Sequence, residues 1–329
     1  MVTVIITTYK RADFLERAIN SVLNQTYKDF ELIVVDDNDS NTEYRKSVEK
    51  IMKKYSNNNK IIYIQHEKNK NGAAARNTGI KLAKGEYIAF LDDDDYFFKN
   101  RLERCVNTLE KYNEYNAVYT SAIKVRNKKI YQYIHAINEG NLEFEFLKLK
   151  TCLGTGSNLF FRAEALKKIN GFDEEFVRHQ DLEVMVRFFE DGNLIKALNE
   201  VLVLKNEDDR INFPNIANLI ASREMYLRKF KSNIQKYEKR SNQIYFECYF
   251  QLLEFCVRAN DKENYKVIKN RIEKYQKISI KKNLKLFFLK VNKYIKLEKV
   301  KDAIKNIIIR KKLDKKVINE MRENTLIKY

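Results

Sequence analysis

The feature that most constrains the fold is an alternation of apolar, β-branched runs with amphipathic segments over the first 92 residues. Residues 2–7 form a continuous run typical of a strand buried on both faces. Residues 13–23 follow with apolar side chains at helical spacing and an aspartate near the start. The same alternation predicts further strands at residues 30–35, 61–65 and 86–91, and further helices at 43–55 and 73–83. This order predicts right-handed crossovers and a mostly parallel sheet with helices on both faces.

The positive charge of the chain is concentrated in its last third. The formal net charge is +18, and residues 216–329 account for all of it, because residues 1–215 hold equal numbers of acidic and basic side chains. All 8 glycines lie at or before Gly192, and the single proline is Pro214. Residues after Pro214 repeat apolar side chains at helical intervals. We therefore predict an α/β domain at 1–215 and a basic, all-α domain at 216–329.

Several classes of protein are excluded by composition. No apolar run approaches the ~20 residues needed to cross a bilayer. The first residues read as a strand and not as a signal peptide. The 4 cysteines contain no CxxC pair, so neither a disulfide scaffold nor a zinc site is expected. These features predict a reduced, cytoplasmic protein.

Carboxylates collect at two points, each directly after a predicted strand. The first cluster spans residues 36–39 and the second spans residues 92–95. Ligands of such sheets bind at the carboxyl ends of the strands. Because side chains alternate along an extended chain, Asp92 and Asp94 should project to one side, where their oxygens suit Mg²⁺ or Mn²⁺. The alternative is a solvated acidic turn, but the two neighbouring clusters favour a ligand site.

Five segments resemble motifs of the family 2 glycosyltransferases, an inverting group that uses nucleotide sugars and has the GT-A fold. In chain order they are VTVIITTYKR, FELIVVDDNDS, NGAAARNTGI, GEYIAFLDDDD and GFDEEFVRHQDLEVMVRF. Their order and spacing match those of the family, and the basic C-terminal region lies outside the resemblance. The resemblance implies a GT-A fold, which is Rossmann-like with a mostly parallel central sheet, followed here by an all-α region.

The resemblance also implies a binding site for the donor nucleotide. Thr7 and Tyr9, in the loop after the first strand, would line the nucleotide pocket. Asp37 would accept a hydrogen bond from the N–H of a uracil ring, which favours UDP. Arg76 would lie near the nucleotide; its alternative is a solvated arginine on a helix surface.

The second acidic cluster matches the DxD-type element of the family. Asp94 is then the first metal ligand, with Asp92 in support, and Asp93 lies nearer the ribose. The implied cofactor is Mn²⁺ or Mg²⁺, which would offset charge on the departing nucleotide.

Removal of a proton from the acceptor hydroxyl requires a base, and a carboxylate can supply it. Asp181 occupies the base position of the family, and Glu183 is the competing candidate. The usual Glu-Asp pair is Gln180-Asp181 here, which is expected to alter acceptor contacts or the pKa of the base. His179 would touch phosphate or acceptor, or have a structural role only.

Gly156 and Ser157 match a segment that lies beside the acceptor and the donor sugar in the family; the alternative is an ordinary loop. The chain has no tryptophan and therefore lacks the Gln-x-x-Arg-Trp element of the family's processive polymerases. The sequence thus predicts the addition of one sugar per encounter.

The resulting hypothesis is an inverting, metal-dependent hexosyltransferase that uses a UDP-sugar and a glycan acceptor on lipid or protein. The alternative is a non-catalytic basic adaptor that retains a nucleotide-sugar-binding fold. The basic helices suit either an anionic membrane surface or a homo-oligomer. Nucleic acid is disfavoured because the tyrosines there lie at helical spacing, as core residues do. The expected location is cytoplasmic, including the inner face of the cell membrane.

Overall fold

Two units make up the chain in the computed structural model, which describes residues 1–150, 152–207, 215–295 and 297–327, with the backbone alone at 292–304. The first unit contains Met1–Leu142, Cys152–Asp209 and Lys305–Tyr329, and the second contains Glu143–Thr151 and Arg210–Ile304. The expected domains at 1–215 and 216–329 differ from these units in two segments. Residues 143–151 join the helical unit, and residues from 305 onward join the α/β unit.

The first unit is built on one sheet. Among the described residues its strands are β1 (Val2–Thr8), β2 (Phe30–Asp36), β3 (Ile61–Gln65), β4 (Tyr87–Asp92), β5 (Tyr96–Phe97), β6 (Ala117–Arg126), β7 (Lys129–Ile134), β8 (Phe160–Arg162) and β9 (Ile195–Glu207). Their order is β3-β2-β1-β4-β8-β6-β9-β5, and β7 pairs with β6. Strands β3, β2, β1 and β4 are parallel, and β8 runs antiparallel to both β4 and β6. The predicted α/β fold with a mostly parallel sheet is confirmed.

The helices occur where the apolar periodicity changes from two residues to that of a helix. They are α1 (Ala12–Leu23), α2 (Glu43–Met52), α3 (Gly72–Leu82), α4 (Arg101–Lys111), α5 (Glu143–Leu147), α6 (Ala163–Lys168), α7 (Gln180–Glu190), α8 (Ile216–Lys229), α9 (Lys231–Gln235), α10 (Ser241–Ala259), α11 (Lys262–Glu273), α12 (Ile280–Ile295), α13 (Leu297–Lys312) and α14 (Lys315–Glu323). Helix α2 ends three residues before the predicted position, and a 3₁₀ turn at Lys53–Tyr55 continues it. The predicted all-α region after the sheet is confirmed.

The register of the parallel strands brings the two acidic clusters to one edge of the sheet. Thr7 pairs with Val35 of β2 on one side and with Asp92 of β4 on the other. Both β1 and β2 are buried along their length because apolar residues occupy both faces. Helix α3 approaches β1 closely at Gly79, where an added Cβ would lie 2.5 Å from Cγ2 of Ile5. The loops after β1, β2 and β4 therefore open on a common edge.

The C-terminal segment completes the core of the first unit beneath β5. Ile309, Leu313 and Met321 are buried in one apolar cluster with residues of β5, β6, β7 and β9. The carboxylate of Glu320 in α14 accepts hydrogen bonds from the Tyr96 hydroxyl, at 3.0 Å, and from the backbone N–H of Lys99, at 2.9 Å. Burial of these apolar side chains is the physical reason why this segment belongs to the α/β unit.

The second unit is a helical assembly around α10, which packs against α8, α11 and α12. Tyr275 stacks on Tyr245 and Tyr249, with ring centroids 4.7 and 6.0 Å apart. These three tyrosines thus contribute to the packing of the unit, as the helical spacing predicts. None of the helices in the described part of the chain is long and apolar enough to cross a membrane.

Candidate active site

A cavity of about 260 Å³ lies in the first unit, and residues from several distant segments border it. Asp92 comes from the end of β4 and Lys205 from β9. The other residues that line it are Arg76, Gly154, Thr155, Gly156, Leu159, Phe172, Val177, His179, Gln180 and Asp181. The predicted base and one predicted metal ligand therefore border the same space.

The second acidic cluster forms a potential cation site. Oxygen atoms of Asp92, Asp94 and Asp95 all lie within 4.8 Å of one another. Asp92 and Asp94 thus lie close together as expected, but through a turn after Asp92 and not through the alternation of an extended chain. Asp95 is an addition that the sequence argument missed. Asp93 is not part of this group, although its side chain is also buried.

Burial and mutual repulsion make it unfavourable for all carboxyl groups of the cluster to ionise together. Burial and the adjacent carboxylates of Asp95 and Asp92 raise the pKa of Asp94 to about 7. Burial also raises the pKa of Asp95, and burial together with Asp94 raises the pKa of Asp93 well above its usual value. Three carboxylates whose oxygens lie this close together are a hard donor set that suits Mg²⁺ or Mn²⁺.

Asp92 differs from its neighbours because cations lie close to it. Burial acts to raise its pKa, but Arg76 and Lys205 outweigh burial and lower it. Burial acts to lower the pKa of Lys205, but Asp95, Asp92 and Asp94 reverse this effect and raise it. Arg11, in the loop after β1, forms an ion pair with Asp94. Neither Arg11 nor Lys205 was identified as a site residue from the sequence.

Arg76 connects the acidic cluster to the start of α7. Its guanidinium donates to Oδ1 of Asp92 at 2.7 Å and to Oε1 of Gln180 at 2.5 Å. It also lies 5.5 Å from the centre of the Phe172 ring. These contacts place Arg76 at the cavity and not on a solvated helix surface.

Gln180 uses both ends of its amide within the protein. While its oxygen accepts from Arg76, its Nε2 donates to the carbonyl of Phe176 at 2.8 Å. A glutamate could only accept hydrogen bonds. The departure from the family's Glu-Asp pair therefore fits a position that needs one donor and one acceptor.

Asp181 lies in the first turn of α7 and is half-buried at the cavity wall. Burial raises its pKa, Asp92 adds to this effect, and Arg76 and Lys205 oppose it. A carboxylate with a raised pKa is a stronger base than one in water. His179, which precedes it, has a left-handed backbone with φ of 61° and also lines the cavity.

Glu183 occupies a different environment. Its side chain is fully buried and forms an ion pair with Arg187, with Nε and Oε1 2.5 Å apart. It is not among the residues that line the cavity. Of the two candidate bases, only Asp181 therefore reaches the space where an acceptor could enter.

The loop before β8 braces the acidic cluster. Ser157 is completely buried; its hydroxyl donates to Asp95 at 2.6 Å and accepts from the backbone N–H of Asp92 at 2.9 Å. This burial leaves the Ser157 side chain no surface for the expected contact with a sugar. Gly156 does border the cavity, and a Cβ there would lie 3.8 Å from Cβ of Asp181.

The predicted nucleotide side contains an aspartate with filled hydrogen-bonding capacity. Asp37 is paired with the ring of His66 at 2.7 Å and accepts from the side chain of Asn69 at 2.7 Å. It also accepts from the backbone N–H groups of Lys70, at 2.9 Å, and Asn71, at 3.0 Å. A carboxylate offers about four acceptor sites. The N–H of a nucleobase would therefore have to replace one of these donors.

The remaining predicted nucleotide contacts lie at the end of β1 and just after it: Thr7 is in the strand, not in the loop as expected, and Tyr9 follows the strand. Thr7 is half-buried, and the Tyr9 side chain is 38% exposed. The ammonium of Lys10 lies 4.8 Å from the centre of the Tyr9 ring. Arg45 was not identified from the sequence. It is buried, and its guanidinium donates hydrogen bonds to the carbonyls of Asp36 and His66 at 3.3 and 2.5 Å. It thus ties together the loops after β2 and β3.

The first unit is an α/β domain in which Asp92, a member of the acidic cluster, and the separate carboxylate of Asp181 line one cavity. The sequence model described as "Glycosyl transferase family 2" matches residues 3–170. The chain belongs to this family, and the resemblance drawn from the five segments is confirmed. The family consists of glycosyltransferases, and the chain is therefore a member of that class of enzyme.

Two relatives illustrate how far the sequence similarity extends. An uncharacterized glycosyltransferase of Methanocaldococcus jannaschii is 29% identical over 216 residues, or 65% of this chain and 73% of that protein. An uncharacterized glycosyltransferase of Rickettsia bellii is 41% identical over 140 residues, or 43% of this chain and 19% of that protein. The matched part thus spans most of the archaeal relative but about a fifth of the rickettsial one.

Solved structures show the same fold at low identity. The crystal structure of S. aureus TarS 1-349 in complex with UDP-GlcNAc has a TM-score of 0.64 and 17% identity, and covers 98% of this chain and 92% of that one. The mannosyltransferase PcManGT from Pyrobaculum calidifontis, in complex with GDP-Man and Mn²⁺, has a TM-score of 0.53 and 17% identity, and covers 93% and 86%. These similarities confirm the predicted GT-A fold.

Proposed function

We propose that this glycosyltransferase moves a hexose from a UDP-sugar to a hydroxyl of a glycan acceptor on lipid or protein, with inversion and with a divalent cation. The observation that carries the proposal is that Asp181 borders the same cavity as Asp92. A non-catalytic adaptor would not need a carboxylate of raised pKa at that position. The proposed location is the cytoplasm, including the inner face of the cell membrane.

The cation site would be formed by Asp94, Asp92 and Asp95. Their mutually close oxygens fit Mn²⁺ or Mg²⁺, and the Mn²⁺ in the PcManGT complex supports the assignment. When bound, the metal would supply Lewis-acid stabilisation of the departing diphosphate. Arg76 keeps Asp92 ionised and in place through its hydrogen bond at 2.7 Å.

Asp181 would act as the general base. The acceptor hydroxyl loses its proton to the Asp181 carboxylate while its oxygen attacks the anomeric carbon. The bond from that carbon to the diphosphate oxygen breaks, and the nucleoside diphosphate leaves with the electron pair. A single displacement from one face inverts the anomeric centre. Arg76 and Lys205 oppose the raised pKa and so keep Asp181 available in its ionised form.

The proposed preference for UDP depends on Asp37. Asn69 is exposed, and its side-chain amide donates one of the hydrogen bonds that this carboxylate accepts. This amide is therefore the donor that a nucleobase can displace most easily. The N–H of uracil would then take its place, whereas the corresponding atom of cytosine carries no proton. The UDP-GlcNAc complex of TarS supports a uridine donor, and the GDP-Man complex of PcManGT provides the competing hypothesis.

The proposal is tested by Asp94→Asn and Asp181→Asn variants in two assays. Calorimetry measures UDP binding with and without Mn²⁺, and release of UDP from a panel of UDP-sugars and acceptors measures turnover. Asp94→Asn should abolish the Mn²⁺-dependent part of UDP binding. Asp181→Asn should retain UDP binding and lose about 10²- to 10⁴-fold in turnover.

Asp191→Asn is the matched control, because Asp191 lies at the other end of α7 and pairs with Lys168 at 2.8 Å. It should retain both UDP binding and turnover. Full turnover of Asp181→Asn would remove the proposed base. UDP affinity that does not respond to Mn²⁺ would remove the proposed cation site.

A further inference from the structure

Helix α12 of the second unit exposes a stripe of large apolar side chains. Ile280 is 81%, Leu284 51%, Phe287 59% and Phe288 60% exposed. Their spacing of three and four residues places them on one face of the helix. Scattered exposed apolar residues are ordinary, but a contiguous aromatic and aliphatic stripe marks an interaction surface.

The opposite face of α12 is the one that holds the helix to its own unit. Leu286 is buried to 5% exposure, and α12 packs against α10. The ammonium of Lys282 lies 4.4 Å from the ring centre of Phe246 and forms an ion pair with Glu247 at 2.8 Å. The exposed stripe is therefore additional to the core contacts of α12 and is not required to fix the helix on α10.

The stripe is surrounded by positive charge. Between Glu273 and Glu298 the sequence contains eight lysines and no acidic residue. Lys281 and Lys290 are both exposed, and helical geometry places them on opposite flanks of the stripe. An apolar stripe bordered by lysines is the pattern of a helix that lies in the interface of a lipid bilayer.

We propose that α12 docks on an anionic membrane surface. Phe287, Phe288 and Leu284 would enter the boundary between head groups and acyl chains, while Lys281 and Lys290 would reach the lipid phosphates. A second copy of the chain suits this surface poorly, because a two-fold interface would bring two sets of the same lysines together. The proposal goes beyond the sugar-transfer chemistry and does not depend on it.

The test is sedimentation of the full chain with vesicles. Neutral phosphatidylcholine vesicles are compared with vesicles in which about one third of the lipid is phosphatidylglycerol, because a basic surface responds to that negative charge. The chain should bind the anionic vesicles at least tenfold more tightly. Raising the salt from about 0.1 M to about 0.5 M should weaken this binding, because the Debye length shortens.

Two double variants separate the apolar and the charged contributions. Phe287→Ser with Phe288→Ser should weaken binding at least tenfold. Lys281→Glu with Lys290→Glu should weaken it more than about twentyfold, since each lysine near an anionic surface contributes roughly fivefold. Val267→Ser on α11 is the matched control, because Val267 is 48% exposed outside the stripe and should leave binding unchanged.

Circular dichroism and release of UDP should be unchanged in all three variants, so a failure of membrane docking is distinct from a failure of the proposed chemistry. Equal binding to neutral and anionic vesicles would overturn the proposal. So would vesicle binding that persists in both double variants. A concentration-dependent dimer in sedimentation velocity that the phenylalanine variant abolishes would identify a second copy as the occupant instead.

Discussion

Glu320 connects the C-terminal segment to the strand that follows the acidic cluster, and its removal should destabilise the first unit measurably. Its carboxylate is the acceptor for the Tyr96 hydroxyl and for the Lys99 backbone N–H. Glu320→Ala leaves both donors without this acceptor. At about 1.5 kcal/mol for each hydrogen bond to a charged group, the free energy of unfolding should fall by about 3 kcal/mol.

A double-mutant cycle with Tyr96→Phe isolates one of the two bonds. Urea unfolding followed by far-UV circular dichroism gives the free energies of the wild type, the two single variants and the double variant. The coupling between Tyr96 and Glu320 should be about 1–2 kcal/mol. Because β5 consists of two residues that follow Asp95 directly, Glu320→Ala should also weaken Mn²⁺ binding.

Glu323→Ala is the matched control for this prediction. Glu323 lies on the same helix, but its side chain is 66% exposed and 3.7 Å from the Lys99 ammonium. An exposed pair of this kind contributes less than about 1 kcal/mol. Equal losses for the two variants, or a coupling energy near zero, would show that the C-terminal segment does not stabilise β5 through Glu320.

Two further predictions concern the cation and the recognition of the nucleobase. Burial, Asp95 and Asp92 raise the pKa of Asp94 from 3.8 to about 7. Between these two pH values the folded state therefore binds more protons at Asp94 than the unfolded state does. Without metal, the contribution of Asp94 to the free energy of unfolding falls as the pH rises from 3.8 to about 7. Mn²⁺ affinity measured by calorimetry should therefore rise with pH and level off above about 7, and a constant affinity at lower pH would contradict the assignment of Asp94. Asp37→Asn should reduce the preference for UDP over CDP, while Asn69→Ala should preserve it. An unchanged preference in Asp37→Asn would show that Asp37 does not contact the nucleobase.

The sheet could be predicted from the sequence because its strands carry a strong local signal. Strand β3 matches its predicted bounds, and β1, β2 and β4 differ by one residue. Helix boundaries follow from caps, as at Thr42, whose side chain accepts from the backbone N–H of Arg45 at the start of α2. Strands β5, β6, β7 and β9 were not predicted; β5 has two residues, too few to show a periodic pattern.

The site was predicted as far as local geometry reaches. Alternation placed Asp92 and Asp94 on one side, but β4 ends at Asp92, and the chain then turns, with the N–H of Asp95 bonded to the carbonyl of Asp92 at 3.1 Å. That turn returns Asp95 to the cluster, which alternation alone could not show. Lys205 joins the cavity through β9, and a single lysine in a strand carries no signal of its partners.

The domain boundary shows the limit of composition as a guide. The change at Pro214 in glycine, proline and charge indicates where the helical region begins. It does not indicate that the chain returns to the α/β unit, because that return depends on a few apolar residues such as Ile309 and Met321. Their spacing is helical, as in the rest of the basic region.

The position of the C-terminal segment affects how the protein matures. The strands of the first unit are synthesised before residues 309–327. The apolar surface beside β5 therefore cannot be buried until those residues have been synthesised. Throughout that interval a nascent chain presents Phe98 and its neighbours to solvent and to chaperones. Ribosome-bound chains stopped before residue 309 should therefore hold the acidic cluster in a looser state than released chains that include residues 309–327.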